Sequence, residues 1–188
     1  MELKIAQIQM SVTADRAENI RRACDIVRQA GDIHMAVLPE MFCCPYDNAC
    51  FRPYGEAEGG PAYQTLSALA KERGIWLVGG TVPELAEDRI SNTCYVFAPD
   101  GQMVAKHRKM HLFDIDVKGG QRFMESETLT AGDSVTTFDT PWGTVVRQCD
   151  ETPQVVVTTL DMARVDAIRQ QLPILSARRT DVYELRKR

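Results

Sequence analysis

The chain lacks the features that would assign it to a membrane, a nucleic acid or an export route. No uninterrupted apolar run approaches the roughly 20 residues that a membrane-spanning helix needs. The 188 residues carry a net charge of −4, which disfavours nucleic acid and anionic membranes as general partners. Residues 1–5 lead directly into a strand-like run and show no signal peptide. We therefore expect a cytoplasmic protein that binds neither membrane nor nucleic acid.

Paired cysteines with the spacing of a zinc or redox site are also absent. The six cysteines form no C-x-x-C pair, and the adjacent Cys43 and Cys44 have poor spacing for metal ligands. Without an export signal, we interpret all six as reduced thiols rather than as a disulfide framework. His107 and His111 are four residues apart, a spacing that brings side chains together only on a helix, whereas the local pattern is a strand followed by a loop. The sequence therefore predicts no metal site.

What the chain does contain is an alternation of buried strands with amphipathic helices. The periodicity predicts strands at residues 3–10, 33–38 and 75–80, and helices at residues 14–30 and 61–73. Pro99-Asp100-Gly101 predicts a hairpin that joins strands at 92–98 and 102–108. Residues 43–60 and 113–132 show no period and are predicted to be irregular. This order predicts an α/β fold with a mixed sheet.

The C-terminal part repeats this kind of pattern after an interruption. Strand-like residues occur at 135–138 and at Val145. Residues 146–153 are polar and have no period, and we interpret them as a junction. A strand at 154–160 and a helix at 162–172 follow, and a charged tail comes after Pro173. We predict one domain over residues 1–188, divided by this junction into an N-terminal part (1–145) and a C-terminal part (154–188).

Two charged residues stand directly after predicted strands. Glu40 follows Pro39 at the end of a buried strand, the position where α/β sheets tend to place functional groups. Lys109 follows the second strand of the hairpin, in a basic run with Lys106 and Arg108. Taken alone, Glu40 is better explained as a capping or solvated carboxylate, and Lys109 as a solvated charge. Their assignment to a site depends on the wider set of motifs.

An ordered set of motifs resembles the nitrilase, or carbon–nitrogen hydrolase, superfamily. The motifs are, in chain order, Ala6-Gln7-Ile8-Gln9, Leu38-Pro39-Glu40-Met41-Phe42, Gly79-Gly80-Thr81-Val82-Pro83-Glu84, Asn92-Thr93-Cys94-Tyr95-Val96, Arg108-Lys109-Met110-His111-Leu112-Phe113-Asp114, and Phe123-Met124-Glu125-Ser126. The match runs through residues 1–145, and residues 154–185 resemble the C-terminal strand, helix and tail of the family. The wording around Lys109 is most similar to the omega-amidase branch, which hydrolyses amides of small dicarboxylic acid monoamides to acid plus ammonia.

The resemblance implies a Cys-Glu-Lys mechanism without a metal or organic cofactor. A thiolate attacks the amide carbonyl to give a thioester, which water then hydrolyses. Glu40 would be the general base, and Lys109 would place a positive charge against the tetrahedral oxyanion. Glu125 would orient Lys109 or the substrate. The implied fold is a four-layer αββα sandwich whose dimers extend the layering, so the resemblance also implies a homo-oligomer.

The segment that should carry the nucleophile is missing from the sequence. After Trp142-Gly143 the family has a cysteine elbow that continues through aspartate and arginine to phenylalanine-proline-glutamate, and this wording does not occur here. Cys149 lies close to the expected distance but one residue early, and a slip of one residue in a strand reverses the face of the side chain. We interpret Cys149 as part of the junction and keep it as an alternative nucleophile. The fold is then a partial αββα sandwich with an internal deletion.

Two functions follow from this sequence. The first is a truncated omega-amidase-like hydrolase, which acts on non-peptide carbon–nitrogen bonds by family and is inactive as a single chain. The second is a non-catalytic protein that associates with a full-length relative, or a deletion product without a selected function. A sheet face left partly uncovered forgoes about 1.5–3 kcal/mol for each large apolar side chain, against a total stability of about 5–15 kcal/mol. We therefore expect an unstable monomer or self-association.

Overall fold

Two helices cover one face of a mixed sheet in the computed structural model, which describes residues 2–134, 136 and 138–142 and the backbone of 155–161. The strands are β1 (Glu2–Ile8), β2 (Met35–Val37), β3 (Trp76–Val78), β4 (Val82–Ala86), β5 (Arg89–Phe97), β6 (Met103–Arg108), β7 (Asp114–Asp116), β8 (Arg122–Met124) and β9 (Val155–Asp161). The helices are α1 (Arg16–Gln29), α2 (Asn48–Phe51) and α3 (Pro61–Arg73), and a 3₁₀ turn spans Glu125–Glu127. The predicted α/β fold class is confirmed.

The main sheet is mixed, as predicted, and it joins the two ends of the described chain. Its strand order is β4-β5-β3-β2-β1-β9, and β6 pairs with the other edge of β5. The three strands β1, β2 and β3 run parallel, while β5 is antiparallel to β3, β4 and β6. β9 pairs antiparallel with β1 over its whole length, from Val155 opposite Ile8 to Asp161 opposite Glu2. The strand predicted at 154–160 therefore completes the sheet on the outer side of β1.

The helices form where the sequence supplies both a period and end signals. At the start of α1, the side chain of Asp15 accepts a hydrogen bond from the amide of Glu18, which caps the first turn. The buried stripe of α1 consists of Asn19, Ile20, Ala23, Cys24 and Val27. α3 begins with Pro61 in its first turn and ends at Gly74, whose φ of +62° is the left-handed conformation that glycine adopts without strain. Both helices thus confirm the predicted spans closely.

The sheet is apolar on both faces, as the continuous hydrophobic runs of its strands require. On the helix face, the core includes Ala6, Ile8, Ala36, Leu77 and Phe97. On the opposite face, Leu3, Ile5 and Met35 are buried, and the partly buried residues Val37, Trp76, Val78 and Trp142 pack against them. The face expected to be partly uncovered is therefore buried near β1 and only partly buried at β2 and β3.

Short elements account for the errors of prediction. β4 was not predicted, because Pro83 and Glu84 interrupt the apolar alternation of a strand that lies at a sheet edge. Residues 113–132, predicted to be irregular, contain the β7–β8 pair and the 3₁₀ turn. Each of these strands has three residues, too few to show a period of two. The predicted loop at 43–60 likewise contains α2, a single helical turn.

Several predictions concern parts of the chain that lie wholly or mostly outside the described residues. They are the strand at 135–138 and 145, the junction at 146–153 and the helix at 162–172. Within the described part, none of the helices combines the length and apolarity needed to cross a membrane.

A buried carboxylate ties β4 to β6 across the intervening strand β5. Glu84 is 2% exposed and accepts hydrogen bonds from Arg108 Nε (2.8 Å) and Nη2 (3.0 Å) and from Thr93 Oγ1 (2.8 Å). Lys106 Nζ contacts the same carboxylate and also bonds to Glu58 over 2.7 Å. Burial alone would raise the pKa of Glu84, but the bonds from Arg108, Lys106 and Thr93 outweigh it, so the pKa lies below its ordinary value.

The variant Glu84→Gln should lose about 1–3 kcal/mol of unfolding free energy at pH 7, because the hydrogen bonds from Arg108 and Lys106 lose their charged acceptor while both cations stay partly solvated. The depressed pKa makes the carboxylate's contribution fully present above the ordinary pKa of about 4.3 and lost as the pH falls through the folded-state value. The difference between wild type and variant should therefore shrink below about pH 4. Urea unfolding across this pH range measures it.

The matched control is Glu58→Gln, since Glu58 bonds to the same Lys106 but its side chain is 47% exposed. We expect this change to cost less than about 1 kcal/mol. Equal unfolding midpoints for Glu84→Gln and wild type at pH 7 would contradict the structural role given to Glu84.

Candidate active site

A cavity of about 470 Å³ opens where the parallel strands β2 and β3 and the hairpin strand β6 end. Its lining consists of Leu38, Glu40, Gly80, Thr81, Asn92, His107, Lys109, Met110 and His111. The segment after β2 contributes Glu40, the segment after β3 contributes Thr81, and the segment after β6 contributes Lys109. The carboxyl ends of parallel strands are the usual place for a ligand in α/β sheets. Both residues predicted from strand ends thus line one cavity.

The turn that carries Glu40 is held against the segment after β3. The amide of Met41 donates to Thr81 Oγ1 over 2.8 Å, and the amide of Thr81 donates to the carbonyl of Pro39 over 3.3 Å. Met41 has a φ of +49°, a conformation that is uncommon for residues other than glycine. Gly80 has a φ of +57°, and a Cβ there would lie 2.1 Å from the carbonyl oxygen of Pro39. Close backbone approach therefore fixes the position of Glu40.

Lys109 bridges two carboxylates that come from distant parts of the sequence. Its Nζ lies 2.9 Å from Glu40 Oε1 and 3.0 Å from Glu125 Oε2. Burial lowers the pKa of Lys109, but hydrogen bonds to Glu40 and Glu125 outweigh it and hold the pKa above its ordinary value. The ammonium therefore stays charged at neutral pH. It can stabilise a developing oxyanion, and it is unsuited to act as a general base.

Glu125 lies behind Lys109 rather than in the cavity wall. Its side chain is fully buried and accepts hydrogen bonds from Tyr46 Oη (2.6 Å), the amide of Phe113 (2.5 Å) and Lys109 Nζ. Burial raises the pKa of Glu125, but these donors together lower it below its ordinary value. Of the two roles expected for Glu125, the contacts favour orientation of Lys109, because this carboxylate lies outside the cavity lining described above.

Two polar residues at the site carried no predicted role. The side chain of Asn92 donates to Glu40 Oε1 over 2.7 Å, and Tyr46 donates to Glu125. A polar side chain in the middle of a buried strand was the available signal for Asn92, since such groups are rarely buried without a partner. Tyr46 gave no comparable signal, because it lies in a segment predicted to be a loop.

None of the five described cysteines belongs to the cavity lining, and burial keeps the thiols of three of them protonated. Burial raises the pKa of Cys43 to about 11 and that of Cys44 to about 12, so both remain protonated at neutral pH. Cys94 is similar, with a pKa raised by burial to about 11. Cys43 and Cys44 pack in the apolar core. Cys149, the alternative nucleophile, lies outside the described residues, so its role stays a prediction.

The two histidines of the cavity wall were expected to be structural rather than metal ligands. His107 Nδ1 lies 3.2 Å from Thr136 Oγ1, a hydrogen bond that gives the imidazole a local partner. Among the residues that the structure describes, no group of three or more histidine, cysteine, aspartate or glutamate side chains is arranged to hold a metal ion.

Comparison with known proteins finds relatives of this chain in sequence. A profile of the family described as "Carbon-nitrogen hydrolase" matches residues 4–141. The chain is 47% identical over 141 residues to omega-amidase NIT2 of Mus musculus and 45% identical over 141 residues to omega-amidase NIT2 of Homo sapiens, in both cases over 74% of this chain and 51% of the relative. The chain therefore spans about half the length of the curated relatives it matches.

Solved structures give a consistent result for the fold. Nit3 of Saccharomyces cerevisiae, a member of branch 10 of the nitrilase superfamily, superposes with a TM-score of 0.65 and 39% identity, over 76% of this chain and 53% of that one. A carbon-nitrogen hydrolase from Helicobacter pylori G27 superposes with a TM-score of 0.76 over 97% of each chain. Its identity is only 17%, so this likeness concerns the fold alone.

Replacement of Gly80 by alanine should destabilise the protein more than an ordinary change at a left-handed glycine. The positive φ alone costs about 1–2 kcal/mol with a Cβ present, and the clash with Pro39 adds to it. The matched control is Gly59→Ala, where φ is +80° but nothing lies within 4 Å of the new Cβ. Urea unfolding of both variants compares the two costs. Equal losses would mean that the contact with Pro39 does not constrain the turn of Glu40.

Proposed function

Since this chain belongs to the carbon–nitrogen hydrolase family, we propose that its cavity is a cytoplasmic amidase site of the omega-amidase type for amides of small dicarboxylic acid monoamides. The observation that carries the proposal is the bridge from Lys109 Nζ to Glu40 and Glu125 at the cavity wall. The identity of 45–47% to omega-amidases over 141 residues supports the substrate class, and the family model that matches residues 4–141 includes the whole cavity lining.

The described residues supply the cation and the general base that an amide hydrolysis needs. The ammonium of Lys109 would face the carbonyl oxygen as it becomes an oxyanion, where a fixed positive charge contributes most. The carboxylate of Glu40, 47% exposed, would take the proton of a thiol or water and return it to the leaving ammonia. Glu125 would keep the ammonium of Lys109 aimed at the reacting oxygen. Nucleophilic attack would then require a cysteine thiolate in reach of Glu40.

We propose that hydrolysis by this chain alone is impaired, because the sequence after Trp142 lacks the nucleophile segment expected by resemblance. Cys43, Cys44 and Cys94 do not replace it, since burial keeps their thiols protonated. Cys24 and Cys50 lie outside the cavity lining, so Cys149 is the candidate that the sequence offers. On this proposal the chain binds an amide beside Glu40 and Lys109, but it does not form a thioester at an appreciable rate.

Ammonia release from succinamate and 2-oxoglutaramate tests the proposal, with the mouse omega-amidase assayed in parallel. We expect release by this chain to be at least about 10³-fold slower, because loss of a nucleophile removes most of the rate enhancement of a covalent mechanism. Release at the rate of the mouse enzyme, abolished by both Cys149→Ala and Glu40→Ala, would show that Cys149 acts as the nucleophile and that the site is not impaired.

Binding tests the assignment of the cavity independently of turnover. Succinamate should bind to the wild-type chain in calorimetry. Lys109→Met should abolish binding, because the only ammonium described in the cavity wall is lost. Circular dichroism of this variant checks that it stays folded, since Glu125 loses its cation. Lys118→Met, which removes an exposed lysine outside the cavity, is the control and should bind normally. No binding by the wild type would contradict an amidase site.

A second candidate function is that of a non-catalytic protein that associates with a full-length relative or with itself. The observation that favours it is the accessible part of the sheet face at Val37, Trp76 and Val78. Trp76→Glu places a charge on this face, whereas Val104→Glu does so at an exposed apolar residue of β6 and serves as the control. If the protein has this function, sedimentation should show an oligomer, and Trp76→Glu should dissociate it while Val104→Glu should not. A wild-type chain that is monomeric and does not bind the mouse omega-amidase would exclude this second function.

A further inference from the structure

Asn92 is a polar residue buried in the middle of β5, where the sheet meets the cavity wall. The residue is 1% exposed and belongs to the cavity lining. Asparagine is a poor strand former, and burial of its amide costs free energy unless the group is hydrogen-bonded. Neither strand propensity nor apolar packing therefore explains an asparagine at this position. The explanation has to come from its hydrogen bonds.

Asn92 contacts both of the predicted catalytic residues, through different atoms. Its side-chain Nδ2 donates to Glu40 Oε1 over 2.7 Å, and its main-chain carbonyl accepts from the amide of Lys109 over 2.9 Å. Lys109 Nζ closes the ring by donating to the same Glu40 Oε1 over 2.9 Å. One residue of a central strand thus joins the base to the cation.

The chemistry of the two groups decides which end of the Asn92 amide faces Glu40. An ionised carboxylate can only accept hydrogen bonds, so the nitrogen must point toward it. The amide oxygen is then left buried, and it has no hydrogen-bond partner among the described residues. An unpaired buried acceptor is unfavourable. Among the described contacts, the bond to Glu40 is therefore the one that stabilises this orientation of the side-chain amide.

We propose that Asn92 is a positioning residue of the amidase reaction, an inference that rests on the proposed function. Asn92 and Lys109 together commit Oε1 of Glu40 as an acceptor. The other oxygen, Oε2, is left to take the proton of the nucleophile and return it to the leaving ammonia. Rotation of the carboxylate would break both bonds at once, so the reactive oxygen keeps one position relative to the ammonium of Lys109.

Lys109 alone does not provide this constraint. Its ammonium stands at the end of a flexible side chain and divides its hydrogen bonds between Glu40 and Glu125. Glu40 itself lies on a turn with its side chain 47% exposed. Asn92, in contrast, lies within the regular strand β5, where it is opposite Pro83 of the neighbouring strand β4. A side chain on a regular element positions a partner more accurately than one on a loop.

The variant Asn92→Asp tests the inference, because it preserves shape and replaces the donor by a carboxylate that repels Glu40. Any ammonia release that the chain supports should fall about 100-fold in kcat, while KM should change by less than about threefold. The matched control is Asn19→Asp, since Asn19 is another fully buried asparagine, whose amide donates to the carbonyl of Thr13 in a distant part of the fold. Asn19→Asp should lower the unfolding temperature without changing kcat.

A spectroscopic measurement decides the question even where release is undetectable. In ¹⁵N-labelled protein, the side-chain amide peaks of Asn92 are those that disappear in Asn92→Asp. They should shift in Glu40→Gln, which weakens the bond, and stay in place in Glu58→Gln, a carboxylate change outside the cavity. Peaks that Glu40→Gln leaves unmoved would overturn the inference.

The failure of this inference can be told apart from that of the proposed function. If Glu40→Ala abolishes ammonia release while Asn92→Asp leaves kcat unchanged, the amidase site stands and the role of Asn92 is wrong. If succinamate does not bind to the wild type, the proposed function is wrong, and the inference about Asn92 is wrong with it.

Discussion

The ammonium of Lys109, held between Glu40 and Glu125, is the contact on which the candidate site depends. Each carboxylate reaches it from a different segment, one after β2 and the other from the 3₁₀ turn that follows β8. Glu125 is fully buried, so its charge is tolerated only with a cation and further donors beside it. Removal of Lys109 would therefore disturb more than the chemistry, because it would leave a buried charge with only two neutral donors.

The alternation of side chains along β6 separates a structural role from a functional one. Lys106 and Arg108 point to the same side and hold the buried Glu84. His107 and Lys109, displaced by one residue each, line the cavity on the other side. Successive side chains of a strand face opposite ways, so a basic run that is uniform in sequence divides into two networks. This arrangement also explains why composition alone gave no indication of which cation belonged to the site.

The sequence predicted those parts of the protein that long periodic elements or strand ends determine. Both long helices and the strands around them follow from apolar periods, and Glu40 and Lys109 follow from their positions after strands. Contacts between distant segments could not be predicted, since nothing near Glu125 in the sequence indicates Tyr46 as its donor. The contact between Asn92 and Glu40 was missed for the same reason, although the burial of Asn92 in a strand was a usable signal. The prediction for Cys149 concerns a residue outside the described part of the chain.

The pairing of β9 with β1 joins strands that are synthesised far apart in time. The chain between Ile8 of β1 and Asp161 of β9 must be made before the two strands can pair. At about 5–20 residues per second, the outer edge of β1 stays unpaired for roughly 8–30 seconds. An open apolar strand edge is a template for association with other chains. The nascent chain thus passes through a period in which this edge is open to association with other chains.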